Sequence, residues 1–372
     1  MAYHINVFVD EYADMVLRSR SVIQGINESA YQKKIQVRMF FSIDDLIKTL
    51  EKESRRFVIV ISESKINSEK WLTVLNRYGI HPVFINQQFS DTSYLFSSVM
   101  PNLYASFYRL VKAILKECAE ASAFIGFNKD SIPDKFRLDG FKKAIKEGGV
   151  KEYIIANDGD VDKCISNTIS ELPKFKNIIC TNDAVAVLLM QKMKETGVNL
   201  AEYNITGYAN MKIGEYFRPS LTTIGGDYYN AGIIAVEVFV FLLKRKQVYN
   251  LCANMKSEII YRESTHYKTK TTASDRNKLK NLEETANGMV NFYGDEPIEK
   301  MGTVESMLVK CDNKDFGILR DILANKTYEE IAENQELAVN TVKYRLNKIE
   351  KHLKVRSRKE ICACLNTYDL NI

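Results

Sequence analysis

A cluster of basic and amide side chains near the C-terminus is the clearest chemical feature of this sequence. Residues 339–360 contain eight Lys or Arg and two Glu, a net charge of +6, whereas residues 304–338 contain four basic and eight acidic residues, a net charge of −4. Lys and Arg neutralise phosphates, and Lys and Asn on a helix can read base edges in the major groove. The pattern predicts a DNA-contacting surface formed by Asn340, Thr341, Lys343, Tyr344, Asn347, Lys348 and Lys351.

Short helices are predicted to hold this surface in place. Thr327 and Glu330 form a capping-box pattern that begins one helix, and Ser357 and Glu360 repeat the pattern at another. An apolar segment at 315–323 predicts a helix before them. Between them a helix begins near Asn340, with an apolar face at spacings of 4, 3 and 4. That face consists of Val342, Leu346, Ile349 and Leu353.

The C-terminal segment resembles the LuxR-type helix-turn-helix. The matching stretches are YEEIA at 328–332, VNTVK at 339–343 and HLKVRSR at 352–358. NTVKYRLNKI at 340–349 is also similar to the PucR-type helix-turn-helix, and both resemblances imply DNA binding. The glycine usual before the second helix is replaced by Asn325-Lys326, and Asn is the next best residue for a left-handed helix end. The alternative is a helical bundle with one solvated basic face.

The first 263 residues alternate short apolar strands with helical patterns. This rhythm predicts parallel sheets covered by helices on both faces, an α/β fold in which ligands bind beyond the carboxyl ends of the strands. Strands are predicted at 5–9, 35–40, 57–61, 82–85, 123–127, 153–155, 177–180 and 205–208. Helices are predicted at 16–31, 43–53, 103–117, 139–148 and 184–197.

Residues 1–265 resemble the effector-binding part of lactose-repressor-type regulators, which share the periplasmic-binding-protein fold. Five blocks follow in the family's order: DSIPDKFRLDGF at 130–141, TNDAVA at 181–186, GVNLAEYNITGY at 197–208, PSLTTI at 219–224 and IYREST at 260–265. The resemblance implies two lobes around a cleft, approximately 1–119 with 226–250, and 122–224 with the last strands. The family's DNA-binding domain normally precedes this region, so we expect the output domain to have moved to the other end.

The resemblance also implies which residues line the cleft. Arg137 and Asp183 hold the motif positions, and a guanidinium with a carboxylate suits a polyol or a carboxylated ligand. The alternatives are a structural ion pair for Arg137 and a helix N-cap for Asp183. Tyr12, after the first strand, is a candidate for stacking on the ligand.

Two further positions complete the predicted ligand site. Asn210 follows Ala209 where many sugar-binding members carry acidic residues, which puts a typical sugar in doubt. Asp227 follows the PSLTTI block. We therefore expect a small polar effector, a sugar or a sugar-like molecule, bound between the lobes.

Several other classes of function and site are not favoured by the sequence. The chain has no phosphate-binding loop, nucleophile elbow or dinucleotide fingerprint, so we expect neither an enzyme nor a cofactor. Its four histidines and seven scattered cysteines show no metal-ligand spacing. No signal sequence or membrane span is evident, which predicts a cytoplasmic protein.

The segment 266–303 is predicted to be a linker that separates the effector domain from a DNA-binding domain at 304–372. Leu279, Leu282, Ala286 and Met289 in the linker have helical spacing, and this helix packs either on the sensor or against a second subunit. Readers of the major groove usually bind two half-sites as dimers, so a homodimer is expected.

Two alternative functions compete with this interpretation. LuxR-type modules often follow phosphorylation-controlled receiver domains, but the strand at 57–61 ends without the acceptor aspartate that a receiver requires. A solute-binding protein without a DNA role is the second alternative, and it would require export.

Overall fold

The computed structural model describes residues 4–10, 17–54, 56–62, 65–87, 89, 93–245, 250–266 and 296–372. Tyr12 and the helix predicted around 279–289 lie outside the described residues. Among the described helices, none is both long and apolar enough to cross a membrane.

The first lobe is built on a sheet of six strands that all pair in parallel. Alternating side chains of the strands face opposite sides: Val7 and Ile59 pack toward two helices, and Phe8 and Val58 pack toward two others. From edge to edge the strands are Cys252–Met255 (β11), Ser97–Pro101 (β5), His81–Ile85 (β4), Phe57–Ile61 (β3), His4–Val9 (β1) and Gln36–Phe40 (β2). Helices Leu17–Gln32 (α1) and Tyr228–Lys244 (α9) cover one face, and Ile43–Leu50 (α2) and Lys65–Arg77 (α3) cover the other.

The second lobe contains a parallel sheet of four strands. Its strands, in spatial order, are Glu152–Ala156 (β7), Ser122–Phe127 (β6), Asn177–Cys180 (β8) and Asn204–Thr206 (β9). One face carries helices Leu103–Glu117 (α4) and Ile132–Gly148 (α5), and the other carries Val161–Glu171 (α6) and Asp183–Glu195 (α7). A five-residue helix, Lys212–Tyr216 (α8), follows β9.

Within the described residues, the chain crosses between the lobes three times. It crosses before α4, again between Thr223–Gly225 (β10) and α9, and finally between β11 and Glu258–Ile260 (β12), which pairs antiparallel with β10. The sequence predicts that α4 belongs to the first lobe. In the structure α4 belongs to the second lobe instead, because its Phe107 packs on Phe124 and Phe141.

Five helices form the C-terminal region. They are Glu296–Lys310 (α10), Asn313–Leu323 (α11), Tyr328–Gln335 (α12), Val339–Leu353 (α13) and Arg358–Thr367 (α14). Their starts match the predicted caps: Thr327 and Glu330 form a complete capping box, and the Ser357 hydroxyl accepts the Glu360 amide. Asn325 has a φ of 59°, the left-handed conformation that its position requires.

The sequence predicts a C-terminal domain separate from the sensor, but in the structure the C-terminal helices share an apolar core with the second lobe. Ile298, Met301 and Leu308 of α10 belong to the same apolar core as Val187 and Met190 of α7. Helix α10 also runs through residue 304, the predicted start of the DNA-binding domain. The physical reason is that α10 has an apolar face that must be buried, and the second lobe covers it.

Candidate functional site

The loop that follows β9 is the centre of the predicted effector site. Asp183 lies beneath this loop and is fully buried. Its Oδ1 accepts a hydrogen bond from Thr223 Oγ1 at 2.6 Å, and its Oδ2 accepts one from the Met211 amide at 2.7 Å. The Asp183 amide donates to the Tyr208 carbonyl at 3.0 Å. Asp183 therefore fixes the conformation of residues 207–211.

The Asp183 carboxylate is enclosed in the protein interior. Burial raises the pKa of Asp183 to about 6, although the hydrogen bonds from Thr223 and Met211 lower it. A glycine at position 207 is required by this packing, because a Cβ there would lie 2.1 Å from Asp183 Oδ1. The helix N-cap is Asn182, whose side chain accepts the Val185 amide at 2.9 Å, rather than Asp183.

Asn210 occupies the same loop in a left-handed conformation. Its φ is 51°, and that of Ala209 is 111°. Asn210 is buried, and its Oδ1 accepts a hydrogen bond from Arg262 Nη2 at 2.6 Å. Arg262 also donates to the Leu221 carbonyl at 2.9 Å. Sequence reasoning did not select Arg262, although the IYREST block contains this single cation.

Arg137 lies against the other side of the loop. Its guanidinium carbon is 4.6 Å from the centre of the Tyr208 ring, a cation–π geometry, and its Nη1 donates to Asp134 Oδ1 at 2.5 Å. The side chain is buried, and its Nε has no hydrogen-bond partner among the described residues. Arg137 and Asp183 thus contact the loop that contains Asn210, and Arg137 also forms the ion pair with Asp134 that was its alternative interpretation.

Asp227 stands apart from this group, at the crossing between β10 and α9. Its Oδ1 accepts the Asn230 amide at 2.9 Å and caps α9. It borders a cavity of about 20 Å³ that also contacts Asn86 and Pro101 of the first lobe. That volume suits about one water molecule.

The predicted DNA-contacting residues lie along the outer side of α13. Asn340, Lys343, Asn347, Lys348 and Lys351 are exposed, and Thr341 is half-buried. Tyr344 is 71% exposed, which is unusual for a large aromatic side chain. The apolar face of α13 is buried, as its spacing predicts; it consists of Val342, Leu346, Ile349 and Leu353.

An ion-pair cluster sets the orientation of α13. Arg345 Nη1 lies 2.9 Å from Asp312 Oδ2 and 2.7 Å from Asp315 Oδ1. Asp312 and Asp315 also form the capping box of α11, so the same carboxylates start one helix and hold another. Hydrogen bonds from the Asp315 amide and Arg345 lower the pKa of Asp312 against the effect of burial.

Glu305 is a buried carboxylate that the sequence analysis missed. It is fully buried in α10, and it accepts hydrogen bonds from the amides of Lys212 at 2.8 Å and Ile213 at 2.7 Å. Burial raises the pKa of Glu305 to about 7, and those two amides oppose the rise. The available signal was an acidic residue within the apolar face formed by Met301, Val304 and Leu308.

Comparison with known proteins relates the first part of the chain to bacterial regulators. Residues 112–265 match the model of the periplasmic binding protein-like domain. The transcriptional repressor PurR of Aliivibrio fischeri strain MJ11 is 24% identical over 263 residues, which are 65% of this chain and 76% of that protein. The transcriptional regulator RegA of Clostridium saccharobutylicum is 24% identical over 214 residues, which are 55% of this chain and 64% of that protein.

Solved structures show the same architecture. The regulator CelR in complex with cellobiose aligns over 71% of this chain and 86% of its own, with a TM-score of 0.55 and 13% identity. A LacI-family regulator from Weissella paramesenteroides with bound sucrose aligns over 71% of this chain and 98% of its own, with a TM-score of 0.52 and 18% identity. The part of the chain that these structures cover therefore has the two-lobed periplasmic-binding-protein-like fold of LacI-family regulators.

Proposed function

We propose that this protein is a DNA-binding transcription regulator, not an enzyme, and that a small polar ligand between its two lobes controls it. The observation that carries the proposal is the outer side of α13. One helix buries a continuous apolar face and presents Lys343, Lys348 and Lys351 to solvent together with two asparagines. That combination suits a helix that enters the major groove between two phosphate backbones.

The arrangement of α12 and α13 supports a helix-turn-helix of the LuxR type. Helix α12 ends at Gln335 and α13 begins at Val339, so the connection has three residues. Glu336 turns the chain with a φ of 52°. A turn of this length before the recognition helix is typical of helix-turn-helix proteins.

The charge distribution supports the same face. Residues 339–360 carry a net +6, and their basic side chains accompany the exposed amides of Asn340 and Asn347. Lysines at this surface would neutralise phosphates and position the helix, whereas the asparagines would discriminate bases. Tyr344 lies on the same exposed side of α13, where it would contact a deoxyribose of the DNA backbone or a thymine methyl group.

The loop at 207–211 supports an effector site at the carboxyl edge of the second sheet. Arg137, Tyr208 and Asn210 place a guanidinium, an aromatic ring and an amide around this edge. Solved structures of the same fold hold cellobiose or sucrose, and a regulator from Enterococcus faecium holds ribose. We infer that the effector is a sugar or a sugar-like molecule, and that Asp227 contributes to the same site; the candidate Tyr12 lies outside the described residues.

A homodimer completes the proposal. Helix-turn-helix proteins usually bind DNA as dimers, whose two recognition helices contact half-sites about one turn of DNA apart. Ligand-driven movement of the lobes would then change the spacing of the two helices. Sedimentation equilibrium of the full chain tests this assembly, and a monomer that binds DNA with undiminished affinity at high dilution would contradict it.

DNA binding is tested by gel shift of the full chain with duplex DNA at several salt concentrations. We expect a Lys343→Ala, Lys348→Ala double variant to weaken binding and to reduce the log–log salt slope by about 0.9 for each phosphate that the variant no longer neutralises. A matched control is Lys142→Ala, Lys146→Ala, which removes two exposed lysines from α5. Equal salt slopes for wild type and the α13 variant would remove α13 as the DNA-binding element.

The effector is sought by thermal-shift screening of sugars, sugar acids and nucleosides against the full chain. A ligand at 100 times its dissociation constant stabilises by about 2.7 kcal/mol. With a hit in hand, we expect Arg137→Ala to abolish the shift. A shift that survives this substitution would place the binding site elsewhere.

A further inference from the structure

The short helix α8 directly follows the loop at 207–211, here called the effector loop, and contacts the C-terminal region at both of its ends. At its start, Glu305 of α10 accepts the amides of Lys212 and Ile213. At its end, the Tyr216 carbonyl accepts the Asn371 amide at 2.9 Å. Both ends of α8 are therefore held by residues more than 90 positions away in the sequence.

Aromatic and apolar contacts strengthen the far end of α8. The rings of Tyr216 and Phe316 lie 5.1 Å apart, centre to centre. Phe217 forms a β-bridge with Leu370, and Lys194 of α7 pairs with Asp369 beside it. The C-terminal region thus encloses α8 rather than touching it at one point.

Three consecutive amides are divided between two buried carboxylates. Met211 donates to Asp183 of the sensor, and the next two residues, Lys212 and Ile213, donate to Glu305 of α10. Both carboxylates are fully buried. Because leaving a buried amide unpaired costs free energy, a displacement of residues 211–213 must either move Glu305 or break a buried hydrogen bond.

Glu305 is also close to the DNA-contacting element. It lies in α10, and α10 packs directly on α13. Two charged groups of the described residues act on Glu305. The charge of Asp183 raises the pKa of Glu305, and the ammonium of Lys212, which lies 2.9 Å from Glu215, lowers it. Glu305 therefore joins the amides at the start of α8 to the helix that packs on α13, in addition to the contacts of Phe316 and Leu370 at the far end of α8.

We propose that Glu305 is a positioning residue that ties the effector loop to the DNA-binding helices, so that a shift of residues 207–211 moves α10 and, with it, α13. The biological meaning of this link rests on the function proposed above. Its existence does not, because the test below contains neither DNA nor effector. Failure of the link and failure of DNA binding by α13 are thus separate results.

The test is hydrogen exchange of the full chain, measured on peptides that cover 207–213 and 296–310. Thr223→Val removes the hydroxyl that donates to Asp183 and accepts the Asn210 amide at 3.3 Å, and therefore loosens the loop. We expect exchange to become about tenfold faster in both peptides, the ratio that corresponds to about 1.4 kcal/mol. Peptides from strand β3 of the first lobe should keep their wild-type rates.

The link is then removed with Glu305→Gln, which places an amide NH₂ against one of the two backbone donors. In the Glu305→Gln background, Thr223→Val should still accelerate hydrogen exchange in 207–213 but should not accelerate it further in 296–310. Glu299→Gln is the matched control, since it makes the same change on the exposed side of α10. In that background the response of 296–310 should stay at about tenfold.

Two results would overturn the proposal. One is faster exchange of 207–213 in Thr223→Val with 296–310 unchanged, and the other is an equal increment in 296–310 with and without Glu305. If Thr223→Val leaves the loop unaffected, Gly207→Ala replaces it, because the added Cβ would overlap Asp183 Oδ1. If Glu305→Gln unfolds all C-terminal helices, Glu305→Asp replaces it, and the same two criteria apply.

Discussion

The buried carboxylate of Glu305 should make the stability of this protein depend on pH in an unusual direction. A carboxylate whose pKa is raised on folding takes up protons in the folded state, so its contribution to stability is complete below the unfolded pKa and is lost as pH rises. For Glu305 that window extends from the usual 4.5 to about 7. At about 1.36 kcal/mol per pH unit, the rise corresponds to about 3 kcal/mol.

Other groups contribute to the total slope, so the informative quantity is a difference between proteins. Asp183, with a pKa of about 6, has the same sign as Glu305. His81 has the opposite sign: burial lowers its pKa to about 4, so its contribution is lost as pH falls from 6.5. Both groups remain in Glu305→Gln and largely cancel when that variant is compared with wild type.

The assay is urea unfolding of wild type, Glu305→Gln and the control Glu299→Gln at about pH 4.5 to 8. We expect wild type to lose about 3 kcal/mol more than Glu305→Gln across this range, and Glu299→Gln to follow wild type. The variant should be less stable than wild type at low pH, where it lacks a well-paired buried acid. Parallel pH profiles for wild type and Glu305→Gln would refute the assignment of a raised pKa to Glu305.

Two further predictions concern the elements that carry the sites. Gly207→Ala should destabilise the protein by about 1–3 kcal/mol in urea unfolding, because its Cβ would lie 2.1 Å from Asp183 Oδ1, and an unchanged free energy of unfolding would argue against this overlap. Thr327→Ala should lower the free energy of unfolding by about 1 kcal/mol, because it removes the cap of α12, whereas Thr327→Ser should keep most of the stability that the cap provides. Denaturant unfolding measures both variants, and equal losses would argue against the capping hydrogen bond.

Much of the fold could be predicted from local patterns. The apolar run at 57–61 becomes a central strand because apolar side chains on both of its faces require helices on both sides. The capping box at Thr327 and Glu330 forms as predicted, since it uses only residues three positions apart. The spacing of Val342, Leu346 and Ile349 likewise determines which side of α13 is buried.

The short strands at the lobe boundary were not predicted. Residues 97–101, 223–225, 252–255 and 258–260 form strands only because distant strands pair with them. Their runs are too short, or too polar, to be distinguished from loops by periodicity. The crossing of the chain before α4 has the same origin, because either lobe could have buried its apolar face.

What the sequence alone determined is the identity and exposure of the α13 surface, because helical periodicity places Lys351 and Val342 on opposite sides of one element. What only the tertiary structure decided is how the two functional regions are connected. Burial of Glu305 depends on α10 meeting α8, and its pairing with Lys212 and Ile213 spans some 90 residues. The same holds for Arg262, whose contact with Asn210 crosses 52 residues. Such contacts arise from packing of surfaces remote in the chain, and no local pattern of residues encodes which surfaces will meet.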